Sequence, residues 1–180
     1  GPSRTSGVTH MNLSTALEPM LQIDPLNWNG LPSATMEQFD ALFGPPVEET
    51  DSTLGYHPAT RYHYCAEEGV SELIVWAREG LAVMVETVKT PDVTVLEALP
   101  EPNAVLANEI LLPDAYAHEY LYCSRGLILT VAQPYHENVA NRIVRCRGIK
   151  PLASVEEFGP AYYQAFDDQV QWANVPSGGC

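Results

Sequence analysis

Three short runs of consecutive apolar residues place the strongest constraint on how this chain folds. They read LIVWA (73–77), LAVMV (81–85) and LILTV (127–131). Such runs favour β-strands that are covered on both faces, since a half-exposed strand would alternate apolar and polar residues. Residues 61 to about 150 are built from runs of this kind, separated by Gly, Pro and Asn. The pattern predicts a strongly curved antiparallel sheet, either a half-barrel or a closed barrel.

Glycine recurs in one local arrangement within this region, between a polar residue and an aliphatic one. A hairpin loop needs a residue at positive φ, which glycine adopts without steric cost. At least the second and third occurrences are predicted to be tight hairpins. The occurrences are Glu68-Gly69-Val70, Glu79-Gly80-Leu81, Arg125-Gly126-Leu127 and Arg147-Gly148-Ile149.

A short helix is predicted ahead of the sheet, in the sequence SATMEQFDALFGPP. Thr35 and Gln38 have the spacing of a capping box, and Gly44 followed by two prolines ends the apolar periodicity. The preceding segment, 11–32, is interrupted by proline and glycine, which predicts turns or a single helical turn. Residues 47–60 are polar and predict a loop.

The chain is predicted to form one α+β domain over residues 11–175. Ser154 and Glu157 have the spacing of a second capping box, which predicts a carboxyl-terminal helix packed on or beside six to eight strands. Residues 1–10, GPSRTSGVTH, have the character of an expression leader, and 176–180 that of a flexible tail.

The charge of the chain restricts its partners. It has 23 acidic and 9 basic residues and a formal net charge of −14. This field repels nucleic acids and anionic membranes and attracts basic proteins, so neither nucleic acid nor membrane is expected as a partner. The basic residues are concentrated between positions 120 and 150, where Glu137 is the one acidic residue. They are Arg125, Arg142, Arg145, Arg147 and Lys150.

The remaining composition predicts a cytoplasmic protein with reduced thiols. No run of eighteen apolar residues occurs, and Met11 is not followed by a signal-peptide pattern. No pair of cysteines has CxxC spacing, so Cys65, Cys123 and Cys146 are predicted to be reduced and mostly buried, with Cys180 exposed on the tail.

Tyr-x-Tyr-Cys occurs twice, at 62–65 and 120–123, and supplies the first candidate site residues. In a strand the two tyrosines of each motif share one face. The favoured interpretation is cross-strand aromatic packing, and the alternative is a tyrosine-lined cavity. Two arginines on one strand face add a candidate anion contact, although pairing with the protein's own carboxylates is favoured. The candidate ligand-binding set is Tyr62, Tyr64, Trp76, Tyr120, Tyr122, Arg145 and Arg147.

Catalytic and cofactor motifs give no further candidates. The sequence contains no GxSxG elbow, no GxGxxG or P-loop motif, and no HxH, HExxH or paired-cysteine spacing. His63 is two residues from Cys65, and side chains at that spacing in a strand are about 7 Å apart, too far for a direct catalytic pair. No cofactor and no metal are predicted, and no catalytic residue is assigned.

Two functions are compatible with these observations. The first is a non-enzymatic acidic binding protein that engages a basic protein, as an inhibitor or immunity-type module does. The second is a small-molecule-binding β-barrel with an aromatic-lined cavity for an apolar or anionic ligand. Such a barrel would act as a carrier or as a cyclase or isomerase that works through shape.

Overall fold

The computed structural model describes residues 12–22, 24–65, 72–87, 93–112 and 114–162. Within them, eight strands form one antiparallel sheet in the order β1-β2-β3-β4-β8-β7-β6-β5. The sheet is therefore two four-stranded meanders that meet where β4 pairs with β8. The strands are β1 Glu48–Leu54, β2 His57–Tyr64, β3 Leu73–Arg78, β4 Leu81–Thr87, β5 Ala104–Leu112, β6 Ala115–Tyr122, β7 Leu127–Pro134 and β8 Arg142–Ile149.

The α+β class and the curved antiparallel sheet are confirmed, but the sheet is open. Strands β1 and β5 lie at its two edges and do not pair with each other, so the closed-barrel alternative is wrong. Register shifts interrupt the pairing of β3 with β4, of β5 with β6 and of β7 with β8. Such irregularities bend strands and increase their twist, which allows the sheet to curve without closing.

Short helices surround the sheet. The longest described helix has 9 residues, and no helix in the described ranges is long and apolar enough to cross a membrane. They are α1 Leu13–Leu21, α2 Met36–Phe43, α3 Val93–Ala98 and α4 Phe158–Tyr162, with 3-10 turns at Pro25–Asn27 and Val155–Glu157.

One face of the sheet, here called the helical face, packs against the amino-terminal segment. Leu17, Trp28 and Phe39 are at most 1% exposed and belong to the same apolar cluster as Val75 of β3 and Leu129 of β7. The Trp28 indole N–H donates to the Gly126 carbonyl at 3.0 Å. Residues 12–22 and 24–43 therefore form the layer that covers the centre of this face.

The other face, here called the opposite face, has its own apolar cluster. Trp76, Met84 and Ile149 are almost fully buried there and pack in one cluster with Phe158 and Tyr162 of α4. Because both faces are covered, consecutive residues of β3 are all buried from Leu73 to Ala77. This confirms the interpretation of the consecutive apolar runs.

Two of the predicted hairpins are confirmed and one is wrong. Glu79 and Gly80 have φ of 52° and 77°, and Gly126 has φ of 61°, in the turns after β3 and β6. Gly148 instead lies within β8. A Cβ at Gly148 would be 2.3 Å from the Trp28 ring, so glycine is needed there for close packing and not for a turn. The Glu68-Gly69-Val70 position lies outside the described residues.

Several other predictions require correction. The predicted loop 47–60 contains β1 and the start of β2, joined at Gly55 and Tyr56, because polar side chains suit an exposed edge strand. The segment 11–32 contains the full helix α1, which keeps Pro19 inside it. Helix α3 was not predicted at all.

One capping box is present and the other is not. Thr35 and Gln38 form the predicted reciprocal bonds at the start of α2. Ser154 makes no side-chain cap bond, and the Glu157 carboxylate instead accepts from the Ala153 backbone N–H at 3.0 Å. Among the described residues, the predicted carboxyl-terminal helix corresponds to the short α4, and the rest of that prediction falls after residue 162, outside the described residues.

The cysteines follow the prediction only in part. Cys123 and Cys146 are free and buried, as predicted. Cys65 is disulfide-bonded, so its assignment as a reduced thiol is wrong, and the prediction for Cys180 lies outside the described residues. The missing signal is spatial, because sequence spacing does not show which cysteines approach each other.

We predict that Trp76→Ala lowers the free energy of unfolding by about 3–5 kcal/mol, because it leaves a large cavity in the core. Trp76 is 1% exposed, its indole N–H donates to Glu86 at 3.2 Å, and the Arg61 guanidinium lies 6.0 Å from its ring. Chemical denaturation followed by circular dichroism measures the change. A variant with the wild-type midpoint and slope would show that Trp76 is not part of the core.

Candidate functional site

The most distinctive concave feature of the described surface is a groove on the helical face, here called the aromatic groove. It encloses about 610 Å³. One wall is α3 with the loop that follows it, the floor is β6, and the remaining sides come from β5 and from the loop before β8. Its lining residues are Leu96, Glu97, Leu99, Pro100, Glu101, Pro102, Val105, Tyr120, Tyr122, Ala140 and Asn141.

Asn103 fixes the loop wall of the aromatic groove to the sheet. Its backbone N–H donates to the Leu121 carbonyl at 2.8 Å, and its side-chain oxygen accepts from the Cys123 N–H at 2.7 Å. Leu99 is buried in the same apolar cluster as Tyr122. The wall is therefore held by two hydrogen bonds and one buried side chain at the end of β6.

The floor is apolar and aromatic, whereas the rim is acidic. Tyr122 is 4% exposed. Its burial, and to a smaller extent the neighbouring Tyr120, raise the pKa of its phenol to about 12. The phenol is therefore neutral at physiological pH. Glu97 and Glu101 are exposed on the α3 side, and Val105 on β5 is 53% exposed. The aromatic groove thus offers apolar contacts flanked by two carboxylates.

The titratable side chains that line the aromatic groove are two carboxylates, Glu97 and Glu101, and two tyrosines, Tyr120 and Tyr122. The described residues that line it include no His, Cys, Ser or Lys. Elsewhere, burial raises the pKa of the Cys146 thiol to about 12 and also raises that of Cys123, which opposes formation of a thiolate.

A second set of polar residues lies on the opposite face and is fully buried. Glu86 accepts a hydrogen bond from the Arg145 guanidinium, and its other oxygen lies 3.2 Å from Arg147 Nε. Arg147 Nη1 is 3.8 Å from Glu119, which accepts from the Thr130 hydroxyl at 3.1 Å. We call Glu86, Glu119, Arg145 and Arg147 the buried ion network.

The two carboxylates of the buried ion network differ in their pKa. Burial alone would raise the pKa of Glu86, but Arg145 and Arg147 together outweigh burial and lower it. Burial raises the pKa of Glu119, and the opposing effects of Arg147, Arg145 and the Thr130 hydrogen bond do not outweigh it. Burial and the adjacent Arg147 lower the pKa of Arg145 to about 10. Glu86 is therefore the principal counter-ion of the two arginines.

The buried ion network is internal to the fold. Arg145 is 2% exposed, and Arg147, Glu86 and Glu119 are 0% exposed. Arg145 and Arg147 share one face, as predicted, and pair with the protein's own carboxylates. Neither guanidinium is open to a ligand from solution.

The predicted candidate residues occupy three separate places. Tyr62 and Tyr64 stack on each other at 6.4 Å on the helical face, and Tyr64 donates to Asp40 of α2 at 2.7 Å. Tyr120 and Tyr122 lie in the aromatic groove. The third group, on the opposite face, consists of Trp76, Arg145 and Arg147.

The two Tyr-x-Tyr-Cys motifs do not form one patch. Strands β2 and β6 are separated by β3, β4, β8 and β7, so the condition for a shared tyrosine face is not met. The first motif packs as core, since burial and Asp40 raise the pKa of Tyr64 and its ring stacks on Phe39. Only the second motif contributes to the aromatic groove. A single cavity lined by all seven candidates does not form.

Sequence reasoning missed the wall of the aromatic groove. Helix α3 has only 6 residues, too few for a clear periodic pattern. The available signal was the sequence LEALPEP at 96–102, in which Pro100 and Pro102 stop a helix and leave acidic and apolar residues together in a rigid loop.

A second groove, of about 750 Å³, lies where β1, β2 and β3 end. Its lining is mainly polar and charged, with Asp51, His57 and Glu79 among the residues. The Arg78 guanidinium at this groove already donates to the Leu54 carbonyl. With no aromatic floor, this groove is the weaker candidate.

Compared with protein-family models, curated proteins and solved structures, the chain shows no significant match. Among the described residues, no group of three or more His, Cys, Asp or Glu side chains is arranged to hold a metal ion. The geometry and charge of the aromatic groove are therefore the basis for the function proposed below.

We predict that Glu86→Gln lowers the free energy of unfolding at pH 7 by about 3–5 kcal/mol, because it leaves two buried arginines without their main counter-ion. Glu119→Gln is the matched control and should cost clearly less, since Glu119 is 3.8 Å from its arginine. Urea denaturation of both variants measures the difference. Equal losses would show that the arginines do not depend chiefly on Glu86.

The pH dependence of stability separates the two carboxylates further. The pKa of Glu86 is lower in the folded protein than in the unfolded chain, where it is about 4.3. Its contribution to the free energy of unfolding is therefore fully present above about pH 4.3 and is lost as the pH falls through the pKa of the folded state. The raised pKa of Glu119 gives stability that is lost as pH rises from about 4.3 through the folded pKa. Glu119→Gln should therefore gain stability relative to wild type as pH rises.

Proposed function

We propose that this protein is a non-enzymatic binding protein that engages a basic partner protein, in the manner of an inhibitor or immunity-type module. The aromatic groove is its binding site. The observation that carries this proposal is a groove with an apolar tyrosine floor and two exposed carboxylates, in a chain of net charge −14.

The lining of the aromatic groove suits lysine and arginine side chains. Their aliphatic stems pack on apolar and aromatic surface while the charged ends stay at the rim. An arginine or lysine held over Tyr120 would gain a cation–π contact, and its charge would lie towards Glu97 or Glu101. Apolar side chains of the partner would contact Leu96, Val105 and the prolines of the loop.

The charge of the whole chain supports the same class of partner. Acidic residues are exposed well away from the aromatic groove, for example Glu48, Glu49 and Asp51 on β1. Such a field accelerates encounter with a basic protein and makes the association rate fall as salt increases. The field therefore speeds encounter, and the aromatic groove gives specificity.

The proposal is tested with a library of random twelve-residue peptides displayed on phage and selected on the immobilised protein. Selected peptides should combine Lys or Arg with aromatic or aliphatic residues, and their affinity should fall with ionic strength. The double variant Glu97→Gln/Glu101→Gln should weaken their binding by about tenfold, as two exposed ion pairs are worth up to about 1 kcal/mol each.

Glu48→Gln/Asp51→Asn is the matched control, because it removes the same number of negative charges from an exposed strand at a different place. It should lower the association rate slightly and leave the dissociation rate unchanged. Selection of neutral or acidic peptides, or equal losses in the two double variants, would contradict the proposal.

A further inference from the structure

The aromatic side chains of β6 continue beyond the aromatic groove. Residues at even positions, Tyr116, His118, Tyr120 and Tyr122, share the helical face, and the odd positions from Ala115 to Leu121 are buried on the opposite face. Exposure increases along this row, from 4% at Tyr122 to 50% at Tyr116. The cover provided by α3 and its loop therefore ends part-way along the strand.

The far end of the row is also built from aromatic side chains. The rings of Tyr116 and Tyr135 meet edge to face, 4.7 Å apart at 90°. The Tyr135 backbone N–H donates to the Asp114 carbonyl at 3.1 Å, which ties the start of this loop to the β5–β6 turn. The same loop ends at Ala140 and Asn141, which line the aromatic groove. This loop therefore adjoins both the Tyr116 end of the row and the aromatic groove.

Resting on the function proposed above, we propose that the occupant of this surface is one extended, cationic polypeptide segment of the partner. It lies along β6 from Tyr122 to Tyr116, a distance of about 20 Å over six residue-to-residue steps. Every second side chain of an extended segment recurs at about 6.7 Å, which is also the spacing of the row. An α-helix repeats every 5.4 Å and is about 10 Å wide, so within two turns its side chains would no longer be aligned with the side chains of the row.

Charge favours a cationic segment over other occupants. Glu97 and Glu101 flank the near end, whereas at the far end the charge of Asp114 is balanced by its exposed ion pair with Arg142 at 3.0 Å, so the excess negative charge lies at the near end. Arg125, whose charge acts on Tyr122, donates to the Leu26 carbonyl. A second copy of this chain would bring a net charge of −14 against the same sign, and an anionic membrane would also be repelled.

The test uses fluorescein-labelled, end-capped peptides of alternating leucine and lysine, with three, five or seven residues. Fluorescence anisotropy gives their affinity for the wild-type protein and its variants. The seven-residue peptide should bind about tenfold more tightly than the three-residue peptide, because it reaches Tyr116. Tyr116→Ser should weaken the seven-residue peptide by about fivefold and leave the three-residue peptide unchanged, whereas Tyr116→Phe should retain affinity.

Tyr120→Ser should weaken all three lengths, and Tyr56→Ser, at a tyrosine that is 65% exposed elsewhere, should change none. If affinity does not depend on peptide length, and Tyr120→Ser weakens binding while Tyr116→Ser does not, the proposal of an extended segment is wrong. Binding in the aromatic groove would still be supported. If no leucine–lysine peptide binds, or the leucine–glutamate equivalent binds equally well, both proposals are wrong. A dimer in sedimentation equilibrium that Tyr116→Ser abolishes would identify a second copy as the occupant and overturn the inference.

Discussion

The contact between Glu86 of β4 and the arginines of β8 is the interaction on which the architecture depends. The two meanders are joined in the sheet by the pairing of β4 with β8, which runs from Met84 opposite Ile149 to Thr87 opposite Cys146. Glu86 lies directly opposite Arg147 in this register. A shift by one residue would place the Glu86 carboxylate and the two guanidinium groups on opposite faces of the sheet. Since an unpaired buried charge costs several kcal/mol, the ion network selects one register for the junction of the two halves.

This arrangement also affects which surface is available for the proposed binding. Arg145 and Arg147 are buried as ion-pair partners of Glu86. They therefore add no positive charge to the surface of a chain whose net charge is −14. On the helical face, the amino-terminal segment covers the centre of the sheet, while α3 covers only part of β6. The aromatic groove is therefore the place where apolar surface and negative charge meet.

Much of the fold could be predicted from the sequence because local patterns specify it. The consecutive apolar residues of β3 and the Thr35 capping box are local signals, and both were interpreted correctly. Strand β1 was missed because an exposed edge strand carries no apolar pattern, and Gly148 was misread because its role is to admit the Trp28 ring from a distant segment. Strand order is likewise a long-range property, and hairpin signals alone do not give it.

The candidate site could be predicted only in part, for the same reason. Tyr120 and Tyr122 were recognised from the Tyr-x-Tyr-Cys motif, and pairing of Arg145 with an internal carboxylate was the favoured interpretation. Glu97 and Glu101 were two acidic residues among 23, and only the fold places them beside the tyrosines.

The most direct test of this account is a ¹⁵N–¹H nuclear magnetic resonance titration of the protein with a selected cationic peptide. The account predicts that amide shifts are confined to residues 96–105, 116–122 and 135–141. Shifts centred on β4 and β8 around Glu86 and Arg147, or on the β1–β2 edge, would contradict it and place the binding site elsewhere on the sheet.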